Sequence, residues 1–127
     1  MSRFFLGAGA ILGGLAVVLG AFAAHTLEDR VTPDRLQVFE TGARYQMYHA
    51  LALLFLSWAA AQWPVWQVSW AGYLFLTGVA IFSGSLYALV LTDTPWLGAI
   101  TPLGGLALIA GWLLLAWAAF KVPSSLF

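Results

Sequence analysis

Residues Tyr45–Thr92 read YQMYHALALLFLSWAAAQWPVWQVSWAGYLFLTGVAIFSGSLYALVLT, without one Asp, Glu, Lys or Arg. A helix crosses the hydrocarbon core of a bilayer in roughly 20 residues. This run is more than twice that long, so it has to fold back on itself. The break is legible at Trp63-Pro64-Val65-Trp66-Gln67. Pro64 removes a backbone donor there, and the two tryptophans suit a membrane–water boundary. The spacing predicts one span over 45–61 and another over 70–91.

The flanks repeat the pattern. Phe4–Leu27 is uncharged and holds a span over 4–24. The turn Thr92-Asp93-Thr94-Pro95 leads to a fourth span over 102–120. Thr101 is its expected N-cap, with Pro102 at the first helical position, and Lys121 and Pro123 end it. The fold class is therefore all-α: an integral membrane four-helix bundle, with residues 1–127 as one multi-pass domain. Composition agrees. Of 127 residues, 62% are hydrophobic and 8% charged, and mean hydropathy is +0.91. A soluble domain carries about a quarter charged residues. Membrane lipid is the expected solvent and first partner.

The first span imitates a signal peptide, with Arg3, an apolar run and an A-x-A site at Ala21-Phe22-Ala23. We read it as a retained helix. The one polar stretch follows it, from His25 to Arg35. Thr32-Pro33 is a helix start, and nothing from Asp34 to Ala61 forces an interruption, although Gly42 weakens the middle. Such a helix is about 45 Å long at its 1.5 Å rise, longer than the core. Its part before Ala43 is expected to project into water or lie as a short amphipathic segment in the interface. Leu36, Phe39 and Ala43 fall on one side of it, which favours lying against protein or headgroups.

Other classes are excluded by count. Net charge is zero with a single Lys, so there is no footprint for nucleic acid. There is no Cys, hence no disulfide, thiolate metal site or cysteine nucleophile. P-loop, nucleophile-elbow and H-E-x-x-H motifs are absent. No enzyme activity, metal or cofactor is expected. Arg3 and Lys121 on one face nearly balance Arg30, Arg35 and Arg44 on the other, so the positive-inside rule assigns no orientation.

Four spans put the loops after spans one and three on the same side. His25, Arg44, Gln46, His49, Ser83, Ser85, Tyr87 and Thr101 all fall toward that side. Phe4, Phe5, Trp58, Trp63, Trp66, Trp70 and Trp117 fall toward the other and read as an aromatic belt. Glu40, Arg44 and Tyr48 form a stripe at i, i+4, i+8, and Glu40 before Arg44 is the favourable order for an ion pair. Arg44 is expected to pair with Glu40 inside the protein. Tyr45, Gln46 and His49 form the neighbouring stripe, with His49 expected level with Ser85. This cluster is either a ligand or proton site, or an interhelical hydrogen-bond network that fixes the bundle. The second reading is preferred. Two histidines could hold a haem, but no third metal ligand and no Glu-x-x-His pair accompanies them.

Small residues recur at four-residue spacing: Gly9-x-x-x-Gly13, Ala16-x-x-x-Gly20, Ala80-x-x-x-Gly84-x-x-x-Ala88 and Ala107-x-x-x-Gly111. Such patterns let membrane helices approach closely. Gly9, Gly13, Gly20, Gly84, Gly104, Gly105 and Gly111 are the expected packing positions. They indicate a homo-oligomer more weakly.

Four stretches together resemble a known family. They are Gly20-Ala21-Phe22-Ala23-Ala24-His25-x-Leu27, then Phe39-x-Thr41-Gly42-x-x-Tyr45-Gln46-x-x-His49-Ala50-Leu51-Ala52-Leu53, then Phe82-Ser83-Gly84-Ser85-Leu86-Tyr87, and Gly98-x-Ile100-Thr101-Pro102-Leu103-Gly104-Gly105 followed by Gly111-Trp112. In this order they are similar to the YgdD/YwdK-like small integral membrane proteins, a domain of unknown function. Ala23 stands where that family usually has Gly. The resemblance implies four transmembrane helices and a place in the bacterial inner membrane, and it implies no enzyme activity. The expected role is a structural or accessory membrane component, alone, as a homo-oligomer or in a larger membrane complex. The alternative is lipid, quinone or proton binding at the polar cluster. A haem or metal redox protein comes third.

Overall fold

The computed structural model describes residues Ser2–Phe127. Four helices account for most of them: α1 Ser2–His25, α2 Pro33–Gln62, α3 Trp66–Thr92 and α4 Thr101–Lys121. Their ends follow from local chemistry. Thr32 caps α2, its side chain accepting from the Arg35 N–H at 3.3 Å, with Pro33 in the first turn. Trp63 closes α2 by donating its N–H to the Ala59 carbonyl at 2.7 Å, and α3 opens at Trp66, just past Pro64. Asp93 ends α3 in the left-handed region at φ 49°, a conformation that Asp tolerates better than most residues. Its carboxylate meets Arg35 at 3.4 Å.

The helices pack in chain order, α1 on α2, α2 on α3 and α3 on α4. One core cluster joins Phe5, Leu53, Leu56, Val68, Phe75 and Leu108. A second, toward the α1–α2 loop, joins Ala23, Leu27, Phe39, Leu89 and Val90. Three helical segments, 2–29, 66–92 and 95–121, are long and apolar enough to cross a membrane. Helix α2 is longer than any of them but carries Tyr45, Gln46, Tyr48 and His49 in its middle. Its place between α1 and α3 carries it through with them.

The first turns of α2 do not project into water; they lie against protein, one of the two arrangements that their apolar side favours. Phe39 is fully buried, 5.9 Å from the Phe22 ring of α1 and 4.9 Å from the Tyr87 ring of α3. The apolar side predicted from Leu36, Phe39 and Ala43 is thus covered by protein. The aromatic belt does need a correction. Phe4, Trp58, Trp66, Trp70 and Trp117 are exposed as expected, whereas Phe5 and Trp63 are core residues. Phe5 lies where a Cβ on Gly72 would be.

The tight seams run through only some of the predicted glycines. A Cβ on Gly9 would meet the Ala50 carbonyl at 2.9 Å, and one on Gly104 would strike the Phe82 backbone. One on Gly111 would meet the Phe75 ring at 2.6 Å. Gly13 and Gly105 have room for ordinary contact. Gly20 and Gly84 face open space, so no seam runs there. Gly78, facing Gly104 and Leu108, holds the place on α3 that spacing assigned to Gly84.

A paired substitution checks these seams. Gly104→Leu forces α3 and α4 apart and should cost at least about 1–3 kcal/mol, read as a lower melting temperature in detergent. Gly84→Leu should leave that temperature unchanged. Equal losses for both would refute the assignment.

Candidate functional site

The polar chemistry is carried mainly by α2. Gly42 comes first. A Cβ there would lie 2.8 Å from the Tyr87 ring, so only glycine lets that ring lie across α2. The same residue's carbonyl accepts the Ser83 hydroxyl at 2.7 Å. One turn deeper, Gln46 spans three helices. Its Nε2 donates to the Leu12 carbonyl of α1 at 2.8 Å, and its Oε1 accepts the Tyr87 hydroxyl of α3 at 2.7 Å. Tyr87 starts nearer the loop than Ser83, yet it reaches the deeper partner. Long side chains on a helix lean toward its N-terminus, which on α3 is the far side. Ser85 and Thr101 share a hydrogen bond of 2.6 Å between α3 and α4.

His49 lies deeper and belongs to another group. Its Nε2 is 3.0 Å from the Trp112 Nε1, and its Nδ1 is 2.7 Å from the Tyr45 carbonyl. An indole N–H only donates, so Nε2 accepts. Nδ1 then carries the proton and donates to the carbonyl, which assigns the neutral Nδ1–H tautomer. The ring also stands edge-on to Phe75, 5.2 Å away. His49 is therefore level with Phe75 and Trp112 rather than with Ser85. No spacing in the chain pairs it with Trp112; only the rule that a buried imidazole needs a partner points that way.

Not every predicted member joins. His25 is exposed at the end of α1. His49 sits beside Ala50, which faces Gly13, and His25 is twelve residues further along α1, about 18 Å by helical rise. The two histidines do not approach each other. Glu40 and Arg44 are both exposed and make no ion pair among the described residues, where Arg35–Asp93 is the ion pair formed. Their stripe faces outward, so the expected buried Glu40–Arg44 pair is not formed. Among the described residues, no three His, Cys, Asp or Glu side chains gather closely enough to hold a metal ion.

Two buried polar residues at the opposite end escaped the sequence reading. Ser57 accepts the Ser2 hydroxyl at its carbonyl, joining α1 to α2. Gln67 is buried, and its Oε1 has no hydrogen-bond partner among the described residues. Both lie among tryptophans, where polar groups read as boundary residues.

Residues 19–105 match the family model described as a protein of unknown function, DUF423. The chain belongs to that family. It is 47% identical to the UPF0382 membrane protein YwdK of Bacillus subtilis over 120 residues, covering 94% of this chain and 98% of the relative. It is 44% identical to the UPF0382 membrane protein SAB0533 of Staphylococcus aureus over 119 residues, covering 94% and 97%. No solved structure matches. The stretch matched to DUF423 contains Gly42, Gln46, His49, Ser83, Ser85, Tyr87 and Thr101, whereas Trp112 lies beyond it.

The three-helix bond of Gln46 can be measured. In a Gln46→Leu and Tyr87→Phe double-mutant cycle, unfolding in detergent should give a coupling of about 0.6 kcal/mol, the average for interhelical hydrogen bonds in membranes, and at most about 1.7 kcal/mol. A coupling of zero would mean that the pair does not hold α2 to α3.

Proposed function

We propose that the chain is a non-enzymatic structural or accessory component of the bacterial inner membrane, acting as a self-associating or partner-associating helical unit. One observation carries this reading: the buried polar side chains of α2, α3 and α4 near the α1–α2 loop spend their hydrogen bonds on one another and on main-chain carbonyls. A catalytic group needs a free lone pair or proton aimed at a substrate. Here Gln46, Ser83 and His49 are each committed to a neighbouring helix. The proton reading is disfavoured on the same ground. His49 sits between a carbonyl that only accepts and an indole that only donates, so a relay through it ends at Trp112.

The surface left for association is on α1. Gly7, Ala10, Gly14, Ala21 and Ala24 lie along one stripe of α1, three, four or seven residues apart, and are all exposed. A side chain built on Gly7 or Gly14 would meet nothing. Small residues at that period let two membrane helices pack closely, and lipid offers no hydrophobic drive to replace such packing. Native mass spectrometry from mild detergent tests the proposal. The expected result is a homo-oligomer or a retained membrane-protein partner that Gly14→Ile releases while the melting temperature of the released chain stays unchanged. A monomer that retains a chromophore, lost on His49→Leu, would overturn it.

A further inference from the structure

On the side away from α1, the bundle has a half-open cleft of about 330 Å³. Tyr45 and His49 of α2 form one wall, Gly105, Leu108, Ile109 and Trp112 of α4 the other, and Phe82 of α3 lies between them. The Tyr45 ring stacks on Phe82 at 4.8 Å. The cleft is open above Gly105, where a Cβ would meet nothing closer than the Phe82 ring at 3.8 Å.

Three properties define what fits. The first is size. An α-helix about 10 Å across fills roughly 400 Å³ per turn, so the cleft takes less than one turn of helix, whereas a segment of the much thinner hydrocarbon chain fits along it. The second is the deep lining. His49 is its one polar side chain below Tyr45, and both ring nitrogens are already bonded within the protein. The buried part of an occupant therefore meets no unmet hydrogen bond and must be apolar. The third is the mouth. The Tyr45 hydroxyl has no hydrogen bond among the described residues, and Arg44 on the adjoining exposed face has no ion pair. Side chains on α2 lean toward its N-terminus, so both donors tip toward the headgroup region. Donors at the mouth and hydrocarbon below complement an amphiphile whose head offers negatively charged acceptor oxygens.

We infer that this cleft is a binding site for one anionic glycerophospholipid, an acyl chain lying between α2 and α4 and the phosphate held by Arg44 and the Tyr45 hydroxyl. The site is independent of the association surface on α1.

The test uses the full chain in mild detergent, with phosphatidylglycerol and phosphatidylcholine added in equal amounts before native mass spectrometry. One phosphatidylglycerol should be retained over phosphatidylcholine by about fivefold, the effect of one Arg at an anionic headgroup. Arg44→Gln should bring the two lipids to parity. Gly105→Leu should fill the cleft and abolish retention of both. Equal retention of the two lipids by the wild type, or unchanged retention by a folded Gly105→Leu, overturns the site. So does a dimer that Gly105→Leu dissociates, since a second copy would then be the occupant. Should Gly105→Leu fail to fold, chain-brominated phosphatidylglycerol takes its place. It should quench less fluorescence in Trp112→Phe than in the wild type, and equal quenching overturns the site.

Discussion

Gln46 is the residue on which the arrangement of this bundle turns. In hydrocarbon no water satisfies a stray amide, so a glutamine buried at mid-span, unlike Gln67 at the first turn of α3, must find both a donor and an acceptor within the protein. Gln46 finds them on opposite sides, at Leu12 of α1 and Tyr87 of α3. Those two bonds fix the rotation of α2 about its own axis. Any other rotation would break at least one of them. Once α2 is fixed, Gly42 faces Tyr87, Ala50 faces Gly9, and His49 faces the gap that Trp112 closes from α4. The least apolar helix therefore has the most determined position.

Hydrogen bonds and close approach depend on each other here. Ser83 reaches the Gly42 carbonyl because no side chain on Gly42 holds α3 away, and the space over Gly42 is filled by the Tyr87 ring that bonds Gln46. Removing the glycine would therefore cost the packing and endanger two hydrogen bonds. The α3–α4 seam works differently. Gly78 and Gly104 bring the two backbones together, and the Ser85–Thr101 bond is added near the end of that contact.

Much of this was readable in the chain, and the unread part has a physical cause. Pro64 and Thr32-Pro33 punctuate the sequence strongly, so those helix ends were legible; Thr101, expected as the N-cap of α4, is instead its first helical residue, with Pro102 second, and its hydroxyl bonds Ser85 of α3 rather than the helix's own first turn. Gln46, Ser83, Ser85, Tyr87 and Thr101 were expected in one half of the bundle, where the structure places them. Direction around each helix was not legible. Helices α1, α3 and α4 are apolar on all sides, so no polar face marks which side is outward. Spacing alone could not tell the open position of Gly84 from the seam at Gly78. Nor could it show that Arg44 turns out while Gln46, two residues on, turns in. The His49–Trp112 bond depends on the rotation of α4, which local sequence does not encode.

The two halves of the bundle resist separation by different means. Toward the α1–α2 loop, directional bonds from Gln46, Ser83, Ser85 and Tyr87 set how the helices are turned. Toward the chain termini the helices are held mainly by shape: Phe5 occupies the space left by Gly72, and Phe75 the space left by Gly111. Dispersion contacts of this kind set distance well and rotation weakly, because an apolar ring makes similar contacts over a range of angles. Hydrogen bonds do the reverse, falling off steeply with angle. A small membrane protein has no aqueous surface to orient its helices, since lipid is as apolar as the core. Orientation must then come from buried polar groups, and one half of the bundle suffices because a helix is rigid along its length. The other half is left free to be filled by aromatic side chains, whose partners need only be small.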